Sequence, residues 1–112
     1  MAEPSTPRVR DAPLRGWALL CVAGRRRGAR FPVYPTTWIG RALQADVRLH
    51  GAAVSRFHAR IVQTHKGGFT IEDLGSRFGV RVGLRRVREP RALQHGDKIR
   101  IANTVLAFVY DG

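Results

Sequence analysis

The chain has 112 residues, 44% of them hydrophobic, a size and composition typical of one globular domain and unlike those of a disordered chain. It carries 20 Lys and Arg against 8 Asp and Glu, a formal net charge of +12, and all but two of the cations are arginine. A field of this sign attracts nucleic acid, anionic lipid, acidic proteins and phosphorylated proteins, and the charge alone does not choose among them.

The first 15 residues hold three prolines and show no apolar periodicity. We interpret residues 1–15 as a flexible leader and residues 16–112 as the folded domain. The leader has no apolar segment of the kind that a secretory signal contains. No apolar run in the chain reaches the roughly 18 residues of a transmembrane helix, so we expect no membrane partner.

From Trp17 onward, short apolar stretches alternate with turn residues. In residues 98–101, for example, Ile99 and Ile101 alternate with Lys98 and Arg100, which is the period of a half-buried strand. No segment shows the sustained period of a long helix, so strands at this spacing predict an all-β sandwich or barrel. The predicted strands are 17–22, 30–34, 37–40, 46–49, 58–63, 68–73, 79–82, 98–101 and 104–109.

The one cysteine, Cys21, lies within the apolar residues 17–22. It has no second cysteine for an internal disulfide, and in this setting we expect a buried, unreactive thiol. A reducing, intracellular compartment follows as an expectation, with the cytoplasm first and the nucleus not excluded.

Four short motifs lie at predicted strand boundaries. They are Gly40-Arg41, Ser55-Arg56-Phe57-His58, Asp73-Leu74-Gly75-Ser76 followed by Gly79, and a Leu-x-x-Gly-Asp-x-Ile-x-Ile pattern over residues 93–101. In this order and spacing they resemble the forkhead-associated (FHA) domain, and the resemblance covers residues 17–110. It implies a β-sandwich of about eleven short strands in two sheets. It also implies that loops at one end of the sandwich hold a phosphothreonine peptide.

The resemblance assigns the phosphate ligands to the first two motifs. A phosphothreonine carries about −1.5 to −2 charges and three strong acceptor oxygens. Arg41 would supply a guanidinium fork and Ser55 a hydroxyl and an N–H, while Arg56 would reach the phosphate or the peptide. Gly40, Gly75, Gly79 and His58 are expected to support the site, with His58 bracing the loop from behind.

The third motif departs from the family pattern. Where the family usually continues Thr-Asn-Gly-Thr, this chain has Arg77, Phe78, Gly79 and Val80. Phe78 cannot make the hydrogen bonds of an asparagine. Two outcomes stay open. Arg77 adds a second cation to the phosphate cluster while Phe78 packs on the ligand or the loop, or Arg77 pairs with Glu72 or Asp73 at the surface and the pocket is weakened. The family's later Asn-Gly is here Gly83-Leu84, for which we expect a type II′ hairpin turn.

Two arginine clusters lie outside the motifs. Arg25, Arg26 and Arg27 stand between two glycines, and by family topology this loop lies at the rim of the phosphate site. That placement predicts acidic residues around the phosphothreonine; a solvated loop without this role is the alternative. By the same count, the second cluster lies towards the far end of the sandwich. It consists of Arg85, Arg86, Arg88 and Arg91.

We therefore expect a phosphothreonine-recognising interaction module in signalling, with no enzymatic activity, no cofactor and no metal. The alternatives are a phosphate-independent docking or oligomerisation module and a basic nucleic-acid-binding domain. Few aromatic residues and no recognition helix favour only non-specific nucleic-acid binding. Thr6-Pro7 resembles a proline-directed phosphorylation site, so phosphorylated Thr6 could dock into the same or another copy.

Overall fold

The computed structural model describes residues 11–112, and in this range the chain forms eleven strands and no helix. The all-β sandwich expected from the sequence is confirmed. The strands are β1 (Trp17–Ala23), β2 (Arg30–Pro32), β3 (Thr36–Gly40), β4 (Val47–Arg48), β5 (Ala59–Gln63), β6 (Phe69–Asp73), β7 (Arg81–Val82), β8 (Arg85–Arg86), β9 (Arg91–Leu93), β10 (Lys98–Ile101) and β11 (Thr104–Tyr110).

The strands form two sheets. One has the order β2-β1-β11-β10-β7-β8, and the other has the order β4-β3-β5-β6-β9. The strand pairs with a defined register are antiparallel except β3 and β4, which run parallel. Loops that follow β3, β4 and β6 therefore carry the motifs around Arg41, Ser55 and Arg77.

The core lies between the sheets and follows the period-2 pattern. Ile99 and Ile101 are fully buried, whereas Lys98 and Arg100 are exposed on the outer face of their sheet. Trp17 joins the sheets by packing on Phe69 and Phe108, with ring centroids 4.8 and 4.9 Å apart. Aromatic pairs of this kind contribute about 0.5–1.5 kcal/mol beyond the burial of their area. Cys21 is buried within this core, as expected.

The predicted strands all exist, but two of the eleven were missed, and β7 begins two residues later than predicted. β8 consists of two exposed arginines, so no apolar alternation marks it. β9 is also short and offers little pattern beyond Leu93. β7 begins at Arg81 rather than at residue 79 because Gly79 bonds to loop residues instead of a neighbouring strand.

The turn between β7 and β8 has the expected form. Gly83 has a φ of 60°, Leu84 is not in the positive-φ region, and Val82 pairs with Arg85. A positive φ at the first turn residue alone is the signature of a type II′ hairpin, and glycine adopts it without strain.

The end of the proposed leader contacts the domain. The N–H of Leu14 donates to the carbonyl of Val33 over 2.7 Å, and the Leu14 side chain packs against the core. Thr6 lies outside the described residues. Within residues 11–112, no helix has the length and apolar character needed to span a membrane.

Candidate functional site

Three loops meet at one end of the sandwich. The first loop (41–46) follows β3, the second loop (49–58) follows β4, and the third loop (74–80) follows β6. Backbone hydrogen bonds of 3.0 Å join the first two, from the N–H of Arg41 to the carbonyl of Ser55 and from Ala42 to Arg56. A Cβ at Gly40 would overlap the carbonyl oxygen of Arg56, so only glycine permits this close approach.

Arg41 extends from the start of the first loop. Its Nε donates to the carbonyl of Val54 over 3.0 Å, which fixes the guanidinium against the second loop. Its own carbonyl accepts a hydrogen bond of 3.2 Å from Nε of Arg48. The residue is exposed, and its remaining guanidinium N–H groups bond to no residue in 11–112. Arg41 is thus a positioned cation that can still donate to an external acceptor.

His58 is fully buried behind the second loop. Its Nδ1 accepts the backbone N–H of Ser55 at 3.0 Å, and its Nε2 lies 2.9 Å from the carbonyl oxygen of Gly79. An amide N–H can only donate and a carbonyl can only accept, so the proton of the ring is on Nε2. The carbonyl of His58 also accepts the N–H of Leu74 at 3.0 Å. One imidazole therefore links the second loop to the third.

The third loop is shaped by Asp73 and Ser76. The Asp73 carboxylate accepts the N–H of Ser76 at 2.7 Å and its hydroxyl at 3.0 Å. The Ser76 Oγ in turn accepts the N–H of Gly79 at 2.9 Å. Gly75 and Gly79 have φ values of 78° and 86°, a region that side chains disfavour. Ser76 was not among the predicted site residues, although an Asp followed three residues later by Ser is a recognisable turn signal.

The third loop brings Arg77 to Ser55. The backbone N–H of Arg77 points at the Ser55 Oγ from 3.4 Å, a long hydrogen bond. The guanidinium carbon of Arg77 lies over the Phe78 ring, 5.3 Å from its centroid, and Phe78 is 59% exposed. Arg41, Ser55 and Arg77 thus surround one small region of surface.

The structure does not pair Arg77 with the neighbouring acids. Glu72 forms an ion pair with Arg60, N to O 3.0 Å, and the Asp73 carboxylate is occupied by Ser76. Among residues 11–112, Arg77 makes no ion pair. Of the two outcomes open from the sequence, the surface pairing is therefore wrong for the described residues.

Arg56 lines an open depression of about 260 Å³ beside the first and second loops. Arg41 and Arg48 line the same depression. The next residue, Phe57, instead packs edge-on against Trp38 with ring centroids 5.9 Å apart. The predicted ligands Arg41, Ser55 and Arg56 are therefore found on adjoining loops, as their motifs implied.

The loop between β1 and β2 also reaches this region. Nη1 of Arg26 donates to the carbonyl of Arg48 over 3.2 Å, and its guanidinium lies 5.1 Å from the Phe31 ring centroid. The expectation that the cluster at residues 25–27 lies near the site therefore agrees with this contact. Arg48 was not predicted to lie at the site, because its position depends on the pairing of β4 with β3.

The second arginine cluster requires a correction. Arg86 was expected towards the far end of the sandwich, but a Cβ on Gly79 would lie 3.0–3.1 Å from three of its guanidinium atoms. Because β7 and β8 have only two residues each, the hairpin returns Arg86 directly to the third loop.

Among residues 11–112, no three His, Cys, Asp or Glu side chains are grouped as metal ligands.

Sequence comparison identifies a family model described as the FHA domain, which matches residues 37–102. The mouse protein "Angiogenic factor with G patch and FHA domains 1" is 35% identical over 85 residues, covering 68% of this chain and 12% of that protein. The transcriptional regulatory protein EmbR of Mycobacterium tuberculosis is 43% identical over 72 residues, covering 64% of this chain and 18% of EmbR. The chain thus spans less than a fifth of either relative.

Solved structures agree with the sequence match. EmbR of M. tuberculosis in complex with a low-affinity phosphopeptide superposes with a TM-score of 0.77 and 34% identity, covering 86% of this chain and 24% of that one. The FHA domain of CT664 from Chlamydia trachomatis gives a TM-score of 0.78 and 29% identity, with 86% and 98% covered. The family match extends over more than half of the chain and includes every predicted site residue. The chain belongs to the FHA domain family.

Proposed function

We propose that the domain binds a threonine-phosphorylated segment of a partner protein at the end formed by the three loops, as a non-catalytic interaction module in signalling. The observation that carries this proposal is the convergence of Arg41, Ser55 and Arg77. Arg41 is fixed by Val54 at 3.0 Å, and the Arg77 N–H lies 3.4 Å from the Ser55 Oγ. The phosphopeptide complex of EmbR supports the choice of ligand.

The donors at this place match the chemistry of a phosphate monoester. Arg41 offers the guanidinium N–H groups that are not bonded within the described chain, and Ser55 offers its hydroxyl proton. Arg77 offers a backbone N–H whose present bond is long, so it can turn to a stronger acceptor. Charge-assisted hydrogen bonds contribute about 1.5–3 kcal/mol each. Selectivity for threonine over serine is proposed from the family resemblance.

Arg77 and Phe78 distinguish the proposed peptide contacts of this domain from those of its relatives. Relatives commonly place threonine and asparagine there, whereas here a guanidinium lies 5.3 Å from an exposed ring. The stacked pair holds the cation at the rim of the site. The Phe78 ring offers an apolar surface to a peptide side chain in place of backbone hydrogen bonds. We also propose that acidic residues around the phosphothreonine interact with Arg56 and the loop at residues 25–27.

An oriented phosphopeptide library tests this function. Wild-type protein should select phosphothreonine peptides, and Arg41→Ala should lose the selection. Arg100→Ala is the matched control, because Arg100 is an exposed arginine on the outer face of the other sheet. If Arg41→Ala selects the same peptides as the wild type, the site is wrong.

Two further outcomes would identify the alternatives. Equal affinity for matched threonine and phosphothreonine peptides would indicate phosphate-independent docking. Binding of oligonucleotides with a steep salt dependence and no peptide selectivity would indicate a nucleic-acid-binding domain. Self-association through phosphorylated Thr6 stays a proposal, tested by the mass in solution of the chain phosphorylated at Thr6.

A further inference from the structure

Arginines form a connected series along one side of the three-loop site. Arg26 donates to the carbonyl of Arg48 over 3.2 Å, and Arg48 donates to the carbonyl of Arg41 over 3.2 Å. Arg41 donates in turn to the carbonyl of Val54 over 3.0 Å. Each guanidinium is therefore held by one backbone acceptor, while its other N–H groups make no hydrogen bond within residues 11–112. We call Arg26 and Arg48 the arginine rail.

No carboxylate within residues 11–112 forms an ion pair with the rail. The ion pairs within residues 11–112 join Arg30 to Asp111 and Arg60 to Glu72, and neither includes the rail. Arg25 and Arg27 are exposed in the same loop as Arg26. Cations this close to one another repel, and the cost is greatest when no counter-charge is present. The positions of the guanidinium groups are set before any ligand arrives.

One phosphate does not balance this charge. A phosphothreonine carries about −1.5 to −2 charges, which Arg41 and one neighbouring cation already offset. Arg48 and Arg56 line the depression of about 260 Å³ together with Arg41. An open depression lined by three arginines can receive a compact anionic group. Arg48 also presents the fork geometry that favours a phosphate group.

We propose that the arginine rail and Arg56 form a second phosphate subsite, so that the preferred ligand is a peptide segment phosphorylated at two residues. The proposal rests on the proposed function, because Arg41 belongs to the first subsite and also lines the depression of the second. Arg48 contacts the backbone of Arg41 directly, so the two phosphates lie close together. An extended peptide advances about 3.3 Å per residue, which places the second phosphate about two to four residues from the first.

The experiment is a titration of the whole chain with synthetic peptides by fluorescence anisotropy at about 0.15 M salt, where charges farther apart than about 8 Å are screened. One peptide carries a single phosphothreonine. Others add a phosphoserine, or a glutamate, at two, three or four residues on either side. The measured quantity is the affinity ratio of each doubly modified peptide to the single phosphopeptide. Both peptides in this ratio occupy the first subsite. A variant that weakens only the first subsite therefore lowers both affinities and leaves their ratio unchanged.

In the wild type, a second phosphate on one side and at one spacing should raise the affinity about tenfold or more, as one charge-assisted hydrogen bond allows. Glutamate there should give a clearly smaller gain. Arg48→Gln and Arg26→Gln should each lower the ratio towards one. Arg100→Gln removes the same charge from the outer face of the other sheet and should leave the ratio unchanged.

The two proposals fail in different ways. If no phosphopeptide binds better than its unphosphorylated form, the proposed function itself fails. If the single phosphopeptide binds but no second phosphate raises the affinity, the subsite is wrong. The subsite is also wrong if glutamate and phosphoserine raise the affinity equally, or if Arg100→Gln lowers the affinity ratio as much as Arg48→Gln does. General charge attraction would then explain the effect.

Discussion

The backbone N–H of Ser55 donates to Nδ1 of His58 over 3.0 Å, while the other ring nitrogen reaches Gly79 at 2.9 Å. The residue proposed to bind phosphate is thus held by a side chain with no exposed surface. Orientation of the Ser55 hydroxyl and of the Arg77 N–H depends on the same imidazole, since Gly79 closes the loop that carries Arg77. Sites that must hold several donors in register depend on such supporting contacts.

His58→Ala should destabilise the domain and weaken phosphopeptide binding together. The substitution leaves the partly buried N–H of Ser55 and the buried carbonyl of Gly79 without partners, at up to about 1–3 kcal/mol each. Urea unfolding measures the loss. His65→Ala is the control, because His65 is exposed in the loop after β5 and its loss should change the free energy of unfolding by no more than about 0.5 kcal/mol. Equal stability of the two variants would contradict the role of His58.

Gly40→Ala should lower the free energy of unfolding by about 1–3 kcal/mol, as overpacking does. The added methyl overlaps the carbonyl oxygen of Arg56 and must separate the first loop from the second. Gly68→Ala is matched to it, since neither glycine has a positive φ and a Cβ at Gly68 meets only the Thr64 hydroxyl at 3.6 Å. Thermal unfolding of both variants measures the difference in stability between them. Equal losses of stability in Gly40→Ala and Gly68→Ala would show that Gly40 serves chain flexibility alone.

Ser76→Ala should loosen the third loop without removing a proposed phosphate ligand. It deletes the acceptor of the Gly79 N–H and the donor to Asp73. The net cost is about 0.5–1.5 kcal/mol per hydrogen bond. Hydrogen exchange should accelerate at the Gly79 amide, and phosphopeptide affinity should fall. Unchanged exchange at Gly79 would show that the loop holds its shape without the serine.

Arg77→Gln should reduce phosphopeptide affinity more at low salt than at high salt. The variant keeps the backbone N–H that faces Ser55, so only the contribution of the guanidinium is removed. At about 1 M ionic strength the screening length falls to about 3 Å, and the variant should approach the wild type. Titrations at two salt concentrations measure this difference. An affinity independent of residue 77 at both concentrations would exclude Arg77 from the site.

Much of the fold follows from local patterns in the sequence. The alternation at Ile99 and Ile101 marks a half-buried strand, and the resemblance to the FHA family implies that Arg41 and Ser55 lie on loops at one end of the sandwich. β8 was not predicted because Arg85 and Arg86 are exposed and show no apolar alternation. Their pairing with β7 follows from the turn between the two strands. Turn chemistry did predict the hairpin at Gly83.

The rest of the site depends on tertiary pairing that no local pattern reveals. Arg26 meets Arg48 because β1 and β4 bring distant segments to the same end of the sandwich. Whether Arg77 joins the phosphate cluster or pairs with Glu72 or Asp73 was open in the sequence. Arg60 lies opposite Glu72 in the β5–β6 register and occupies its carboxylate, and Ser76 occupies that of Asp73.

The central claim is phosphate-dependent binding through Arg41, and isothermal titration calorimetry tests it most directly. The wild type and Arg41→Ala are each titrated with one library-selected peptide in phosphothreonine, phosphoserine and unmodified threonine forms. We expect saturable binding of the phosphothreonine form by the wild type, weaker binding of phosphoserine, none of the unmodified form, and at least a tenfold loss in Arg41→Ala, the equivalent of about 1.4 kcal/mol or more. Equal affinity of the wild type for the threonine and phosphothreonine peptides would contradict the claim.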